Sequence, residues 1–249
     1  MNVSKYSIQN NRKYQEDRSI IKPISSGEAL FGVFDGHGGS EVSELAVQNV
    51  SIIFDEIDDE TKNDPEKTLI TVVERLVELT NTYSAGSTLA IVWVKNNTAH
   101  VVVLGDSIVL IKNSEGKLWK SPEHNIRSNK KEAYAAASRG GVFDIEGKFV
   151  FDGNDLRPKK SGLQLSRALG NNYLHNVLNR NPEYSKVALN DNSWILLCSD
   201  GLIDPSHANT DSIDLVSELI EYGFGAQQII TTVQQIQQDD NSTAILIKM

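Results

Sequence analysis

Cysteine is nearly absent from this chain: Cys198 is the single one in 249 residues. One thiol excludes an intrachain disulfide framework and a cysteine-rich zinc site. Its place in the apolar run Trp194-Ile195-Leu196-Leu197-Cys198 reads as a small buried side chain rather than a nucleophile. Basic charge is also in deficit. Lys and Arg number 24 against 33 Asp and Glu, a net charge of -9, which argues against a nucleic-acid partner, whose binders carry a basic stripe. No apolar stretch is long enough to cross a bilayer, and Met1-Asn2-Val3-Ser4-Lys5-Tyr6 lacks the apolar centre of a secretory signal. The expectation is a monomeric cytosolic or nuclear protein with no membrane or nucleic-acid partner. No linker, repeat or low-complexity tract divides the chain, so residues 1–249 are read as a single domain.

What is present is order at two periods. Val3–Gln9, Arg18–Ile24 and Ala29–Phe34 read as strands. After Gly38-Gly39 the apolar residues Val42, Leu45, Ala46, Ile53 and Ile57 fall on one helical face, with Ser40 as the expected N-cap. A second helix is expected over Pro65–Asn81, because proline suits the first helical position. A meander follows, Ser87–Lys95, Thr98–Leu104 and Ile108–Lys112, whose short turns require antiparallel pairing. Asn129–Arg139 reads as helix, Phe143–Lys160 as an exposed loop or flap, and Leu163–Leu169 as a short helix. Strands return at Tyr184–Leu189 and Trp194–Ser199, then helices at Ser212–Tyr222 and Ala226–Gln237, then a final strand Ser242–Lys248. This order is α+β, and singly striped helices beside antiparallel strands suit two packed sheets with helices outside.

Acids punctuate the strands. Leu30-Phe31-Gly32-Val33-Phe34 ends in Asp35-Gly36, Val101-Val102-Val103-Leu104 in Gly105-Asp106, and Trp194 to Ser199 in Asp200-Gly201, while Asp239-Asp240 leads into the last strand. Carboxylates gathered at strand ends repel one another unless they are protonated, paired with cations or holding metal. With Glu16, Asp17 and Asp204 they make an all-oxygen ligand set, which selects hard cations such as magnesium or manganese. Any single acid here is better explained as a turn or cap residue; four at four strand ends are not explained by turn preference alone. His37, between glycines beside Asp35, is either an exposed turn histidine or a proton donor. Arg12 is either a surface ion-pair partner or a fork for phosphate oxygens. Hard cations that activate water, an arginine and an acid together point to a phosphoryl ester.

The chain resembles the type 2C (PPM) metal-dependent serine/threonine protein phosphatases in their eukaryotic form. The matching segments are Arg12-Lys13-Tyr14-Gln15-Glu16-Asp17, Phe34-Asp35-Gly36-His37-Gly38-Gly39, Ala85-Gly86-Ser87-Thr88, Leu104-Gly105-Asp106-Ser107, Arg139-Gly140-Gly141, Ser166-Arg167-Ala168-Leu169-Gly170, Cys198-Ser199-Asp200-Gly201 with Asp204, and Asp239-Asp240-Asn241. They run in the family's order over almost the whole chain.

The resemblance implies a four-layer α-β-β-α sandwich with a binuclear metal site at one rim, holding two Mn2+ or Mg2+ ions. On that pattern Asp35 bridges both ions, Asp200 and Asp240 complete one, the Gly36 carbonyl ligates the other, and Glu16, with Asp17 nearby, acts through water. Arg12 corresponds to the phosphate-binding arginine and His37 to the acid that protonates the leaving group. Asp106 and Asp204 match a weaker third-ion site. Phosphorylated proteins are the implied substrates. The rival reading is a regulatory binding module that keeps the fold without activity; its mark is ligand loss, and no ligand position is lost. Two positions depart from the family pattern: Ile108 stands where arginine is common, and Asn171 where aspartate usually follows the Ser-Arg-Ala-Leu-Gly element. Neither corresponds to a metal ligand, so the expectation is a changed local salt bridge or strand edge.

Overall fold

Alternation within buried strands decides the architecture. In Glu28–Phe34, Leu30 and Phe34 point to one side and Phe31 and Val33 to the other, and all four are fully buried. Trp194–Cys198 repeats the pattern, with Leu196 and Cys198 on one face and Ile195 and Leu197 on the other. A strand apolar on both faces must be covered on both.

The computed structural model describes residues 1–155, 161–204, 212–235 and 239–249. Along the chain lie β1 (Asn2–Ile8), β2 (Arg18–Ser25), β3 (Glu28–Phe34), β4 (Gly36–His37), α1 (Glu41–Glu56), α2 (Asp59–Lys62), α3 (Pro65–Thr80), β5 (Gly86–Ser87), β6 (Leu89–Lys95), β7 (Thr98–Leu104), β8 (Ile108–Lys112), β9 (Leu118–Lys120) and α4 (Lys130–Ser138). They are followed by β10 (Gly141–Phe143), β11 (Val150–Asp152), β12 (Leu169–Gly170), β13 (Glu183–Ala188), β14 (Trp194–Cys198), α5 (Asp200–Ile203), α6 (Ile213–Glu221), α7 (Ala226–Gln234) and β15 (Ser242–Lys248).

Two five-stranded antiparallel sheets, ordered β1-β15-β14-β8-β9 and β13-β7-β6-β3-β2, pack face to face. Phe31, Val33, Val92, Val101 and Val103 from one meet Val109, Ile111, Ile195, Leu197, Ile245 and Ile247 from the other. The outer face of the second sheet carries Leu30, Phe34, Ile91 and Trp93 against Val50, Phe54, Leu69, Val72 and Leu76 of α1 and α3. The outer face of the first carries Leu110, Leu196 and Leu246 against Val216, Ile220, Ile229, Ile230 and Val233 of α6 and α7. The expected four layers are therefore present. Cys198 is fully buried, and burial pushes its thiol far up the pH scale, so it is inert packing.

Local signals mostly act as written. Asp64 accepts the Lys67 N–H (3.1 Å) ahead of Pro65, and Asn129 accepts from Lys131 (3.1 Å) at the start of α4. Ser40 stands at the N-cap of α1, but its side chain makes no cap bond. Three expectations need correction. Leu163–Leu169 is not a helix: Leu163 bridges Val150, Leu165 bridges Asn125, and only Leu169–Gly170 is regular, as β12. The flap is not structureless, since β10 and β11 form a hairpin across its first half; residues 156–160 lie outside the described ones. The strand expected over Ser87–Lys95 breaks at Thr88, which separates β5 from β6. The far end of the helix expected to reach Gln237 also lies outside the described residues.

β4, β5 and β12 build a separate three-stranded sheet from three short motifs. Gly36 and His37 pair with Ser87 and Gly86, which pair in turn with Leu169 and Gly170. Sequence reading missed this sheet because two-residue strands carry no periodicity.

Candidate active site

At one rim of the sandwich a cleft of about 240 Å³ is lined by Arg12, Glu16, Asp35, Gly36, His37, Asp106, Asp200 and Asp240, and by Phe149 and residues 162–165 on the flap side. Eight of the ten site residues expected from sequence therefore share one cleft. The other two lie apart from its lining. Asp17 is buried beneath it, 4% exposed. Asp204 closes α5, its N–H bonded to the Asp200 carbonyl (2.7 Å) and its carboxylate 3.9 Å from Arg127 Nη2.

The topology gathers these acids because β3, β7 and β14 end, and β15 begins, at the same rim. Backbone tolerances then hold them close. A Cβ on Gly36 would stand 2.6 Å from the Glu16 carbonyl and 2.8 Å from Ser43 Oγ, so only glycine lets the β1–β2 connection approach Asp35. The Asp35 N–H donates to Thr88 Oγ1 (3.2 Å), whose hydroxyl also pairs with Ser107 Oγ at 2.6 Å.

Crowding shows in the acidities. Burial, followed by the charges of Asp17, Asp200, Asp240 and Asp106, holds the Asp35 carboxyl well above the usual range. Burial pushes Asp17 up to about 7; hydroxyl hydrogen bonds from Thr243 and Ser199 oppose the rise and the charges of Asp200 and Asp240 add to it. Ser199 Oγ donates to Asp17 Oδ2 at 2.8 Å, but Oδ1 is buried with no hydrogen-bond partner. Arg12 answers part of this charge, with Nη2 2.8 Å from Asp240 Oδ2 and Nε donating to the Asp239 carbonyl at 2.9 Å. The His37 imidazole is held below its ordinary pKa, chiefly by burial, and Nε2 lies 2.9 Å from Asn171 Oδ1.

Sequence reasoning missed the residues that hold the acids in place. Asn241 Oδ1 accepts the Glu16 N–H (2.8 Å), and its Nδ2 donates to the carbonyls of Gln9 (2.9 Å) and Tyr14 (3.0 Å), clamping the segment that carries Arg12 and Glu16. Gly39 N–H donates to Glu16 Oε1 at 2.7 Å. Asn125 Nδ2 donates to Asp106 Oδ2 at 2.7 Å. Asn241 adjoins Asp240 in its motif, a usable signal; Asn125 has none.

A second grouping, His124, Glu132 and Glu183, has donor atoms within 4.8 Å of one another. It is filled by a cation of the chain's own: Arg167 Nη2 lies 2.6 Å from Glu132 Oε1 and 2.9 Å from Glu183 Oε1. His124 Nδ1 accepts the Gly105 N–H (3.0 Å), so the cluster braces the turn before Asp106. Burial takes His124 down to about 4, leaving it neutral.

Comparison with known proteins places the chain in a family. The family model described as Protein phosphatase 2C matches residues 1–242. Bovine (Bos taurus) "Protein phosphatase 1L" is 26% identical over 268 aligned positions, covering 99% of this chain and 72% of that protein. "Probable protein phosphatase 2C 52" of Oryza sativa subsp. japonica is 29% identical over 252 positions, covering 97% of this chain and 49% of that protein. Among solved structures, a serine-threonine phosphatase 2C from Toxoplasma gondii superposes with a TM-score of 0.71 at 23% identity, covering 98% of this chain and 93% of that one. With the family model spanning nearly the whole chain and the fold matching, this chain belongs to the protein phosphatase 2C family.

Proposed function

We propose that the chain is a metal-dependent protein serine/threonine phosphatase. The observation that carries this is the meeting of Asp35, Asp106, Asp200 and Asp240 in one cleft with Arg12 and His37. The residues fit hard divalent cations: the donors are oxygens, burial and then the neighbouring carboxylates hold Asp35 well above the usual range, and Asp17 keeps a buried oxygen with no partner.

Asp35, Asp200, Asp240 and the Gly36 carbonyl would hold two Mn2+ or Mg2+ ions, with Glu16 and Asp17 alongside and Asp106 and Asp204 as a weaker third site. When bound, such ions neutralise the acids and acidify a water so that it can attack phosphorus in line. Arg12 sits at the cleft, where its planar fork can bind and orient phosphate oxygens. His37 gives a proton to the serine or threonine oxygen as the phosphorus–oxygen bond breaks. Phosphorylated proteins are the proposed substrates. Among the described residues no helix is long and apolar enough to cross a membrane.

The test is release of inorganic phosphate from a phosphoserine and a phosphothreonine peptide with Mn2+, with Mg2+ and with EDTA. Cation-dependent release is expected. No release with either cation, or equal release in EDTA, would contradict the proposal.

A further inference from the structure

We propose that Asn171 is a positioning residue for His37: its carboxamide oxygen holds Nε2–H and so presents Nδ1 to the leaving-group oxygen. This rests on the reading of His37 as the proton donor.

His37 Nε2 and Asn171 Oδ1 are 2.9 Å apart. The Asn171 amide nitrogen faces the Ser84 carbonyl at 3.5 Å and the Tyr173 hydroxyl at 3.4 Å, which leaves the amide oxygen as the acceptor for the ring. Nε2 must then carry a hydrogen. Nδ1 has no protein partner among the described residues, and His37 lines the cleft. The imidazolium and the neutral Nε2–H ring both satisfy Asn171; the neutral Nδ1–H ring does not, because two acceptors would face each other.

The surroundings are built for this contact. Asn171 is 1% exposed and takes a left-handed backbone (φ 48°) directly after Gly170 (φ 67°). Two such residues in succession need support. The Arg180 guanidinium supplies it by donating to the carbonyls of Ala168 and Gly170, while the Asn171 N–H donates to the Ala85 carbonyl at 2.9 Å. Between the two side chains lies Gly86, paired with His37 on one side and Gly170 on the other. A Cβ there would stand 2.1 Å from Asn171 Oδ1 and 2.3 Å from His37 Nε2. The small sheet thus brings His37 to Asn171 across a strand with no side chain in the way. Asn171, expected from sequence to alter only a local salt bridge or strand edge, instead touches the proton donor.

In the step assigned to His37, the bond from phosphorus to the serine or threonine oxygen breaks and its electron pair stays on that oxygen. The oxygen takes the proton from Nδ1 of the imidazolium. Phosphorus bonds to the oxygen of the attacking water, whose proton passes to solvent. The ring is left neutral with its hydrogen on Nε2, still bonded to Asn171, and regains the other proton from solvent.

The experiment compares a phosphoserine peptide with 4-nitrophenyl phosphate, whose aryl leaving group needs no proton, at saturating Mn2+. His37→Ala is the reference. Asn171→Leu, close in size but without an acceptor, is expected to lower kcat for the peptide by roughly 10- to 100-fold, as loss of general-acid assistance does, and to spare the aryl ester. Asn171→Asp, which keeps an acceptor, is expected to restore peptide turnover. In His37→Ala/Asn171→Leu the losses should not multiply. Equal losses on both substrates, or multiplying losses in the double variant, would overturn the proposal. If His37→Ala itself shows no preference between substrates, the proton-donor reading fails first and this one with it. Nitrogen-15 spectra of the ring give an independent check that needs no turnover: the neutral ring should carry hydrogen on Nε2 in the wild type and lose that preference in Asn171→Leu or Asn171→Ala. A neutral ring protonated on Nδ1 in the wild type would refute the assignment.

Discussion

Arg12 and Asp240 form an ion pair, Nη2 to Oδ2 2.8 Å, at a cleft where acids outnumber cations. The arginine is partly exposed and its partner largely buried, so a phosphate group can reach the guanidinium from the cleft. Arg12→Ala is expected to lower kcat/KM for a phosphopeptide by about 10-fold or more, mostly through KM, and Arg12→Lys to recover only part, since an ammonium lacks the fork. Steady-state kinetics on the peptide check this; unchanged kcat and KM would remove Arg12 from phosphate binding.

The raised acids make stability depend on pH with a definite sign. Asp17 titrates near 7 in the fold against 3.8 for the free side chain, so the folded state binds the extra proton and stability falls as pH rises towards 7. Lowering pH from 8 to 6.5 in EDTA is therefore expected to stabilise the protein, by on the order of 1 kcal/mol from Asp17, with Asp35 adding in the same direction. From about pH 7 downwards the gain is opposed, because His124 is held down to about 4 and His37 and His100 are held below their ordinary range, so the unfolded chain takes up those protons more readily. Thermal melts of wild type and Asp17→Asn across this window check the account: the variant should show the smaller slope. Equal slopes would contradict it.

Two glycines separate strain on side chains from strain on backbone. Gly201→Ala would put Cβ 1.9 Å from the Asn241 carbonyl oxygen, a backbone atom, and is expected to destabilise the fold by several kcal/mol. Gly86→Ala meets the movable tips of Asn171 and His37 instead. It is expected to fold with a smaller loss and to discriminate against the phosphopeptide relative to the aryl ester. Melting curves and the two-substrate ratio read both outcomes.

Asn241→Ala removes three hydrogen bonds that fasten the Arg12–Glu16 segment. Losing bonds to these partly buried groups is expected to cost on the order of 1 kcal/mol and to raise both KM and the Mn2+ concentration needed for half-maximal rate. A stability loss with no change in either kinetic quantity would make the clamp purely structural.

The long strands and the rim acids were legible because their signals are contiguous: Leu30 to Asp35 carries both the alternation and the acid that ends it. Asn171 and Asn125 were not legible as site residues, since each acts on a partner outside its own motif, 134 positions away for Asn171 and 19 for Asn125; Asn241 stands in the Asp240 motif, but Glu16, which it fastens, is 225 positions away. Leu163–Leu169 misled because Leu163, Leu165, Ala168 and Leu169 imitate a short amphipathic turn, while the fold buries Leu165 and Ala168 beside Ile126, Ala136 and Val150 in an extended path. Asp204 carries the right residue type in the right motif, yet it stands beside Arg127 outside the cleft lining.

The proposed function requires the rim acids to hold the cations on which ester hydrolysis depends. Asp35, pressed by four other carboxylates, tests it most directly. The measurement is phosphate release from a phosphoserine peptide by Asp35→Asn and wild type, titrated with Mn2+. The wild type is expected to saturate and to fall silent in EDTA, and Asp35→Asn, folded by its melting curve, to lose at least about 100-fold in rate at every Mn2+ concentration. Wild-type turnover in Asp35→Asn would contradict it.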